Sequence, residues 1–152
     1  MRPRGLLCLA FLSTLTGPAL AADQFSCGGS DTRIEVLVRD SRMLDERAEG
    51  VVTMSRNGLD TVLRFRSIDF IGGQCVNAAD GRPLVVFQAF CGGSGCNDGA
   101  NWGVIDPALL RVLMVPTDSN RQEAQKLLGG ALPALKMISV EREAVRQGVE
   151  LF

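Results

Sequence analysis

The sequence predicts an α+β fold: one small domain with a mainly antiparallel sheet of about six strands, followed by two short C-terminal helices and stapled by disulfides. Strand-like runs occupy residues 33–115, and the helical segments follow them. Runs of strands and then helices, without alternation, are typical of α+β domains. An even number of cysteines in the exported part of the chain supplies the disulfides.

An export signal is the first element of the chain. Arg2 and Arg4 precede an uncharged, mostly apolar run, and Ala19-Leu20-Ala21 supplies the small residues of a signal peptidase site. The run is short for a membrane anchor. We therefore expect residues 1–21 to be a cleaved signal peptide, residues 22–152 to form a single globular domain, and the protein to be periplasmic or secreted.

The charge of the chain excludes two classes of partner. The sequence contains 16 basic and 17 acidic residues, a net charge of −1. Cleavage removes two arginines and so lowers the net charge to −3. This is not the profile of a nucleic-acid-binding domain, and no basic block indicates a membrane-surface segment. After the signal, no apolar stretch is long enough to form a transmembrane segment.

Four cysteines follow the signal: Cys27, Cys75, Cys91 and Cys96. The glycines between Cys91 and Cys96 allow the tight turn that a local disulfide needs. Cys27 would then pair with Cys75, closing a loop that contributes about 3–4 kcal/mol. A redox pair of the thioredoxin type has two intervening residues rather than four. A zinc site needs closer paired spacings, and the chain has no His. We therefore expect structural disulfides, no metal and no cofactor.

Alternating apolar and polar residues predict the first strands. Residues 33–39 form one, with Ile34 and Val36 on the buried face. Asn57-Gly58 lies between the strand-like residues 51–56 and 59–65 and predicts a hairpin, because a type I′ turn needs positive φ at both central residues. The charged residues 40–50 are expected to form a solvated loop or a helical turn.

The later strands are marked by turn residues. The strand pattern that follows residue 65 is expected to end at Gly72-Gly73, before a turn around Asp80-Gly81. Residues 84–90 are mostly apolar and predict a central strand. Residues 102–106 and 111–115 predict a second hairpin, since Pro107 presets the turn.

Capping residues predict the two helices. Ser119 at the N-cap and Gln122 three residues later form a capping box, and Gly129-Gly130 ends that helix. Ser139 is expected to cap a second helix over residues 140–147. A helix packed across one sheet face would cover apolar positions on several strands: Val36, Leu63, Phe65 and Phe87.

The glycine-rich residues 91–106 are the candidate binding segment. They contain the only Trp of a chain that has no Tyr. Binding residues concentrate on loops held by a rigid scaffold, and Trp is enriched among interface hot spots. The candidate binding residues are Asn97, Asp98, Asn101, Trp102 and Asp106. The alternative is a stapled connection with Trp102 packed in the core.

Catalytic chemistry has weaker support. The Asn and Asp oxygens of the loop lack the ligand spacing of a calcium site. Without His, the familiar Ser-His and Cys-His activations are not available. Two carboxylates can hydrolyse a glycoside, and Asp69, Asp98 and Asp106 are the candidates.

These observations favour an exported, periplasmic, non-catalytic binding domain of the inhibitor or immunity-protein type. No catalytic residue is assigned, and the expected partner is another protein of the cell envelope. Two alternatives stay open: a small carboxylate-dependent hydrolase of an envelope polymer, and a structural subunit of an envelope complex.

Overall fold

The fold consists of two antiparallel sheets and two short helices. The computed structural model describes residues 22–39, 41–43, 47–93, 101–117 and 120–151; the predicted signal peptide lies outside them. The elements are β1 (Ala22–Cys27), β2 (Ser30–Val38), β3 (Ala48–Arg56), β4 (Leu59–Phe65), β5 (Phe70–Asn77), β6 (Pro83–Phe90), β7 (Gly103–Asp106), β8 (Arg111–Met114), α1 (Arg121–Leu128), β9 (Ile138–Ser139) and α2 (Val140–Arg146). The predicted class, a mainly antiparallel α+β domain with two short C-terminal helices, is confirmed.

Both sheets are built mainly from antiparallel strands that follow one another in the chain. Sheet A has the strand order β1-β2-β3-β4, and sheet B has the order β8-β7-β6-β5-β9. The β3–β4 turn has φ of 52° at Asn57 and 78° at Gly58, so the predicted hairpin is confirmed together with its two positive φ angles. The predicted hairpin of β7 and β8 is also present. The sequence pattern indicated β2 to β8, but not β1, β9 or the division of the strands between two sheets.

The main core lies between the inner faces of the two sheets. Sheet A contributes buried aliphatic side chains from β2 and β3, and sheet B contributes Phe87 and its neighbours on β5, β6 and β7. The rings of Phe65 and Phe87 meet across the core with centroids 5.8 Å apart. The helix expected to cover this face is replaced by the opposite sheet, because each sheet has an apolar face to bury. From the helices, only Val140 of α2 is among the buried residues of this core.

The predicted disulfide joins the two sheets. Cys27 at the end of β1 is bonded to Cys75 of β5, with Cα atoms 5.4 Å apart. Cys91 is also disulfide-bonded, but its predicted pairing with Cys96 falls outside the described residues.

A second core lies on the outer face of sheet B. Leu84 and Val86 of β6 point into it, together with Trp102, while Ala124 and Leu128 of α1 cover it. The alternate residues of β6 point into the main core. Strand β6 is the middle strand of its sheet and is buried on both faces, which explains its nearly continuous apolar sequence.

Two glycines expected to end a strand lie inside β5. A side chain on Gly72 would overlap the backbone of Lys136, and one on Gly73 would meet Ile34 at 2.7 Å. The expectation that the strand ends there was wrong, because these glycines admit close neighbours within a continuous strand.

The helix ends follow the predictions in part. Ser139 caps α2 by accepting a hydrogen bond from the backbone of Arg142 at 3.3 Å, as predicted. Helix α1 ends at Gly129 in the left-handed conformation, also as predicted. Its N-cap is Asn120 rather than Ser119. The Asn120 side chain makes no cap hydrogen bond, because the backbone of Trp102 occupies it instead.

Candidate functional site

The structure places Trp102 in a core. Its exposed fraction is 4%, and it packs with the residues of the second core. The Asn120 side chain accepts a hydrogen bond from the backbone N–H of Trp102 at 2.8 Å and donates one to the backbone carbonyl of Trp102 at 2.7 Å. Asn101 is also buried, with 8% exposed. The indole thus has the packing role of the alternative interpretation, and offers little surface to a partner.

The other predicted binding residues do not converge on this position. Asn97 and Asp98 lie outside the described residues. Asp106 is the last residue of β7. Its carboxylate accepts hydrogen bonds from the backbone N–H groups of Ala108 and Leu109 at 3.0 and 3.2 Å, which stabilise the β7–β8 turn. Asn101 lies five residues earlier, roughly 15 Å along the strand direction. Asp106 is therefore separated from Asn101 and Trp102 by the length of β7.

Asp69 and Asp106 are too far apart for paired carboxylate catalysis. Asp69 lies just before β5 and accepts the N–H of Gly92 at 2.5 Å. Strand register fixes the distance between them. Cys75, six residues after Asp69, pairs with Val85 of β6, and Val85 pairs on its other side with Ile105, the residue before Asp106. Six residues of strand place the two carboxylates roughly 20 Å apart, whereas glycosidases hold theirs about 5–10 Å apart. Pairs that include Asp98 fall outside the described residues.

Sheet A leaves its outer face outside both cores. This face, called the outer face below, consists of the side chains that alternate with the core residues of β1 to β4. None of them belongs to either core cluster. Strand register sets them in rows: Arg33, Thr53 and Val62 form one row, and the row formed by Glu35, Val51 and Arg64 lies next to it.

An open groove of about 520 Å³ crosses the outer face over β1, β2 and β3. Apart from Phe25, the residues that line it are polar or charged: Gln24, Ser26, Asp31, Thr32, Arg33, Thr53 and Ser55. Arg33 donates a hydrogen bond to Glu35 at 2.6 Å, but its buried Nε has no hydrogen-bond partner. A buried donor without a partner costs free energy.

Glu49 lies at the other end of the outer face and is buried. It belongs to β3, so the expectation that residues 40–50 form a solvated loop or helical turn was wrong for residues 48–50. One carboxylate oxygen accepts hydrogen bonds from Arg39 and Arg64, each at 2.5 Å, and Arg66 approaches the other oxygen at 3.8 Å. We call these four residues the arginine cluster.

The arginine cluster carries a surplus of positive charge at the surface. Arg39 and Arg64 share the single carboxylate of Glu49, so one negative charge is matched by two guanidinium groups. The side chain of Glu49 is 3% exposed, whereas those of Arg39, Arg64 and Arg66 are 50–56% exposed. Arginine stems cover apolar surface while their heads stay in water. Arg64 of β4 and Arg66 just after it alternate with core residues, which is typical of a solvated face. No local pattern indicates that Glu49 lies beneath them.

Comparison with other proteins adds no assignment. No protein-family model, curated protein or solved structure matches the chain. Within the described ranges, no group of three or more His, Cys, Asp or Glu side chains could hold a metal ion. No helix of the described residues is long and apolar enough to span a bilayer.

Proposed function

We propose that this protein is an exported, non-catalytic binding domain that contacts another protein of the cell envelope through the outer face of sheet A. The observation that carries the proposal is this face itself. The inner faces of both sheets are packed together, and α1 covers the outer face of sheet B. The outer face of sheet A presents ordered rows of charged, polar and valine side chains that belong to neither core.

The size of the face suits a small protein interface. The face has four strands, which are spaced about 4.8 Å apart. The three longest, β2, β3 and β4, have seven to nine residues each. These dimensions give a projected area of roughly 500 Å². Side-chain relief makes the accessible area larger. Standard interfaces bury about 800 Å² on each partner, so this face is of the right order. Its open groove is suited to receive side chains of a partner.

Export is supported by the disulfide chemistry. The Cys27–Cys75 bond is formed, and structural disulfides persist in oxidising compartments such as the periplasm. We expect the purified exported protein to begin at Ala22, which N-terminal sequencing and intact mass would show. A protein that retains residues 1–21 would contradict the signal-peptide part of the proposal.

The proposal is tested by photo-crosslinking in the native bacterium. A photoreactive amino acid replaces Val62, which is 45% exposed on the outer face, or Val145, which is 61% exposed on α2. The two positions start from the same residue type and provide a matched pair. We expect a discrete protein adduct from position 62 and none from position 145. Equal adducts from both, or none from position 62, would contradict the proposed contact face.

The same adduct separates an inhibitor from a structural subunit. A partner that is an enzyme and loses activity when the purified protein is added supports the inhibitor or immunity type. A partner that co-purifies at fixed stoichiometry within a larger assembly, with no change in activity, supports the structural alternative.

A further inference from the structure

We infer that the arginine cluster recognises carboxylates on an acidic surface of the partner protein. This inference rests on the proposed function, since it names the chemistry of the surface that the outer face contacts. It is independent of the residues predicted from the loop 91–106. It depends instead on Arg39 and Arg64, together with the buried Glu49 that holds them.

The cluster has donors to offer. A guanidinium carries five N–H groups in a planar fork that matches the two oxygens of a carboxylate. The bonds to Glu49 use one nitrogen of Arg39 and one nitrogen of Arg64. Both side chains are half-exposed, so part of each one is accessible to a partner that approaches this face.

Glu49 prepares the cluster for binding. Two arginines bound to one buried carboxylate are held in place before a ligand arrives. Long side chains normally lose conformational entropy when they become fixed in an interface, and prior ordering reduces that loss. The surplus charge also remains, because the single carboxylate of Glu49 neutralises only one of the two guanidinium groups that it holds. The site is therefore both ordered and cationic.

The charge distribution of the whole face favours a protein over a uniform polyanion. Asp31 and Asp60 are exposed in the row at the opposite end of the face, on either side of Ser55. That row lies six residues of β3 from Glu49, roughly 20 Å away. The chain as a whole is also acidic, with a net charge of −1. A nucleic acid or an anionic bilayer would meet repulsion there, whereas a protein can place acidic residues only against the arginines.

The test uses a labelled peptide as the probe. A fluorescein-labelled peptide of alternating Glu and Ser, and a matched peptide with Gln in place of Glu, are titrated with purified protein at low ionic strength, with fluorescence anisotropy as the readout. We expect binding to the Glu peptide alone. We expect the double variant Arg39→Gln/Arg64→Gln to bind it at least tenfold more weakly, and the affinity of the wild type to fall as salt rises.

Arg82 provides the control of equal charge. It lies in the β5–β6 turn, is 55% exposed and pairs with Asp80, whose pKa is lowered mainly by the hydrogen bond from Arg82. Arg82→Gln changes the net charge as Arg64→Gln does, and we expect it to leave peptide affinity within twofold. Arg64→Lys keeps the charge but not the fork, so an intermediate loss is expected. Thermal melting confirms that each variant is folded.

Three results would overturn the inference. One is an equal loss of affinity in Arg82→Gln and Arg64→Gln, which indicates a general charge effect. Another is the absence of binding to the Glu peptide. The third is tighter, arginine-dependent binding to polyphosphate or to phosphatidylglycerol vesicles, since these would identify a phosphate ligand rather than an acidic protein.

Crosslinking separates this inference from the proposed function. If position 62 still gives its adduct in the Arg39→Gln/Arg64→Gln background at wild-type yield, the contact face stands and carboxylate recognition fails. If the protein with both arginines intact gives no adduct from position 62 but still binds the Glu peptide, the proposed contact face fails and carboxylate recognition stands. If position 62 gives its adduct in the wild-type background and loses it in the double variant, the result supports both the proposed contact face and carboxylate recognition.

Discussion

Glu49→Gln is the substitution that most sharply tests the structure of the outer face. It removes the negative charge from a side chain that is 3% exposed and keeps its shape. Arg39 and Arg64 then lose the anion that accepts their hydrogen bonds at 2.5 Å. The repulsion between these two guanidinium groups is then no longer offset by Glu49. We expect a folded but less stable protein.

The magnitude follows from the number and exposure of these bonds. A hydrogen bond to a charged group contributes about 1.5–3 kcal/mol, whereas fully exposed ion pairs contribute about 0–1 kcal/mol. Here one partner is buried and the others are half-exposed, and the Gln amide can still accept one neutral bond. We expect a loss of about 2 kcal/mol in the free energy of unfolding. For a domain of this size that lowers the melting temperature by roughly 6–10 °C.

Chemical denaturation of the mature protein measures this loss. Glu35→Gln is the matched control, because Glu35 lies on the same face and pairs only with Arg33 among the recorded ion pairs of the described residues. Its loss should be smaller than that of Glu49→Gln. High salt should reduce the difference between Glu49→Gln and the wild type. A loss below about 0.5 kcal/mol, or an equal loss in the control, would refute the role given to Glu49.

Three further sets of substitutions test the scaffold. Replacing Cys27 and Cys75 with Ser should cost about 4 kcal/mol in unfolding free energy, given the 48-residue separation of the pair; unchanged denaturation would contradict this. Gly103→Ala should cost about 1–3 kcal/mol, because a Cβ there would overlap the Phe87 ring. In a Phe87→Leu background, Gly103→Ala should cost less than it does in the wild type. Equal costs of Gly103→Ala in the two backgrounds would argue against the contact. Ser139→Ala removes the cap of α2 and should cost about 1 kcal/mol, measured by thermal unfolding.

Local features of the fold were predictable because local chemistry sets them. The Asn57-Gly58 hairpin follows from two adjacent residues that tolerate positive φ. The Ser139 cap follows from one hydroxyl before a helical segment. The pairing of Cys27 with Cys75 followed from the glycines between the other two cysteines. Each of these depends on a few neighbouring residues or on elimination within a small set.

The division into two sheets was not predictable from periodicity. An alternating strand shows which of its faces is apolar but not what covers that face. Phe65 and Phe87 were expected to lie beneath a helix, and instead they cover one another across the two sheets. Gly72 and Gly73 were read as a strand end, since their close neighbours come from segments far away in the sequence.

The candidate site was missed for the same reason. Glu49 lies in a charged stretch that is usually solvated, and its burial depends on Arg39, ten residues earlier, and Arg64, fifteen residues later. Strand pairing brings them together. Trp102 was a candidate binding residue because it is the only Trp of the chain. It is buried instead, since it packs in the second core and the Asn120 side chain binds its backbone.

Identification of the crosslinked partner peptide tests the central claim most directly. The adduct from position 62 is digested and sequenced by mass spectrometry, beside the matched position 145. The proposed function and the carboxylate site together predict one partner protein, with Asp or Glu residues in or next to the crosslinked segment and no adduct in Arg39→Gln/Arg64→Gln. Adducts spread over many unrelated proteins, or equal adducts from position 145, would contradict the claim that the outer face of sheet A is a specific protein-binding surface.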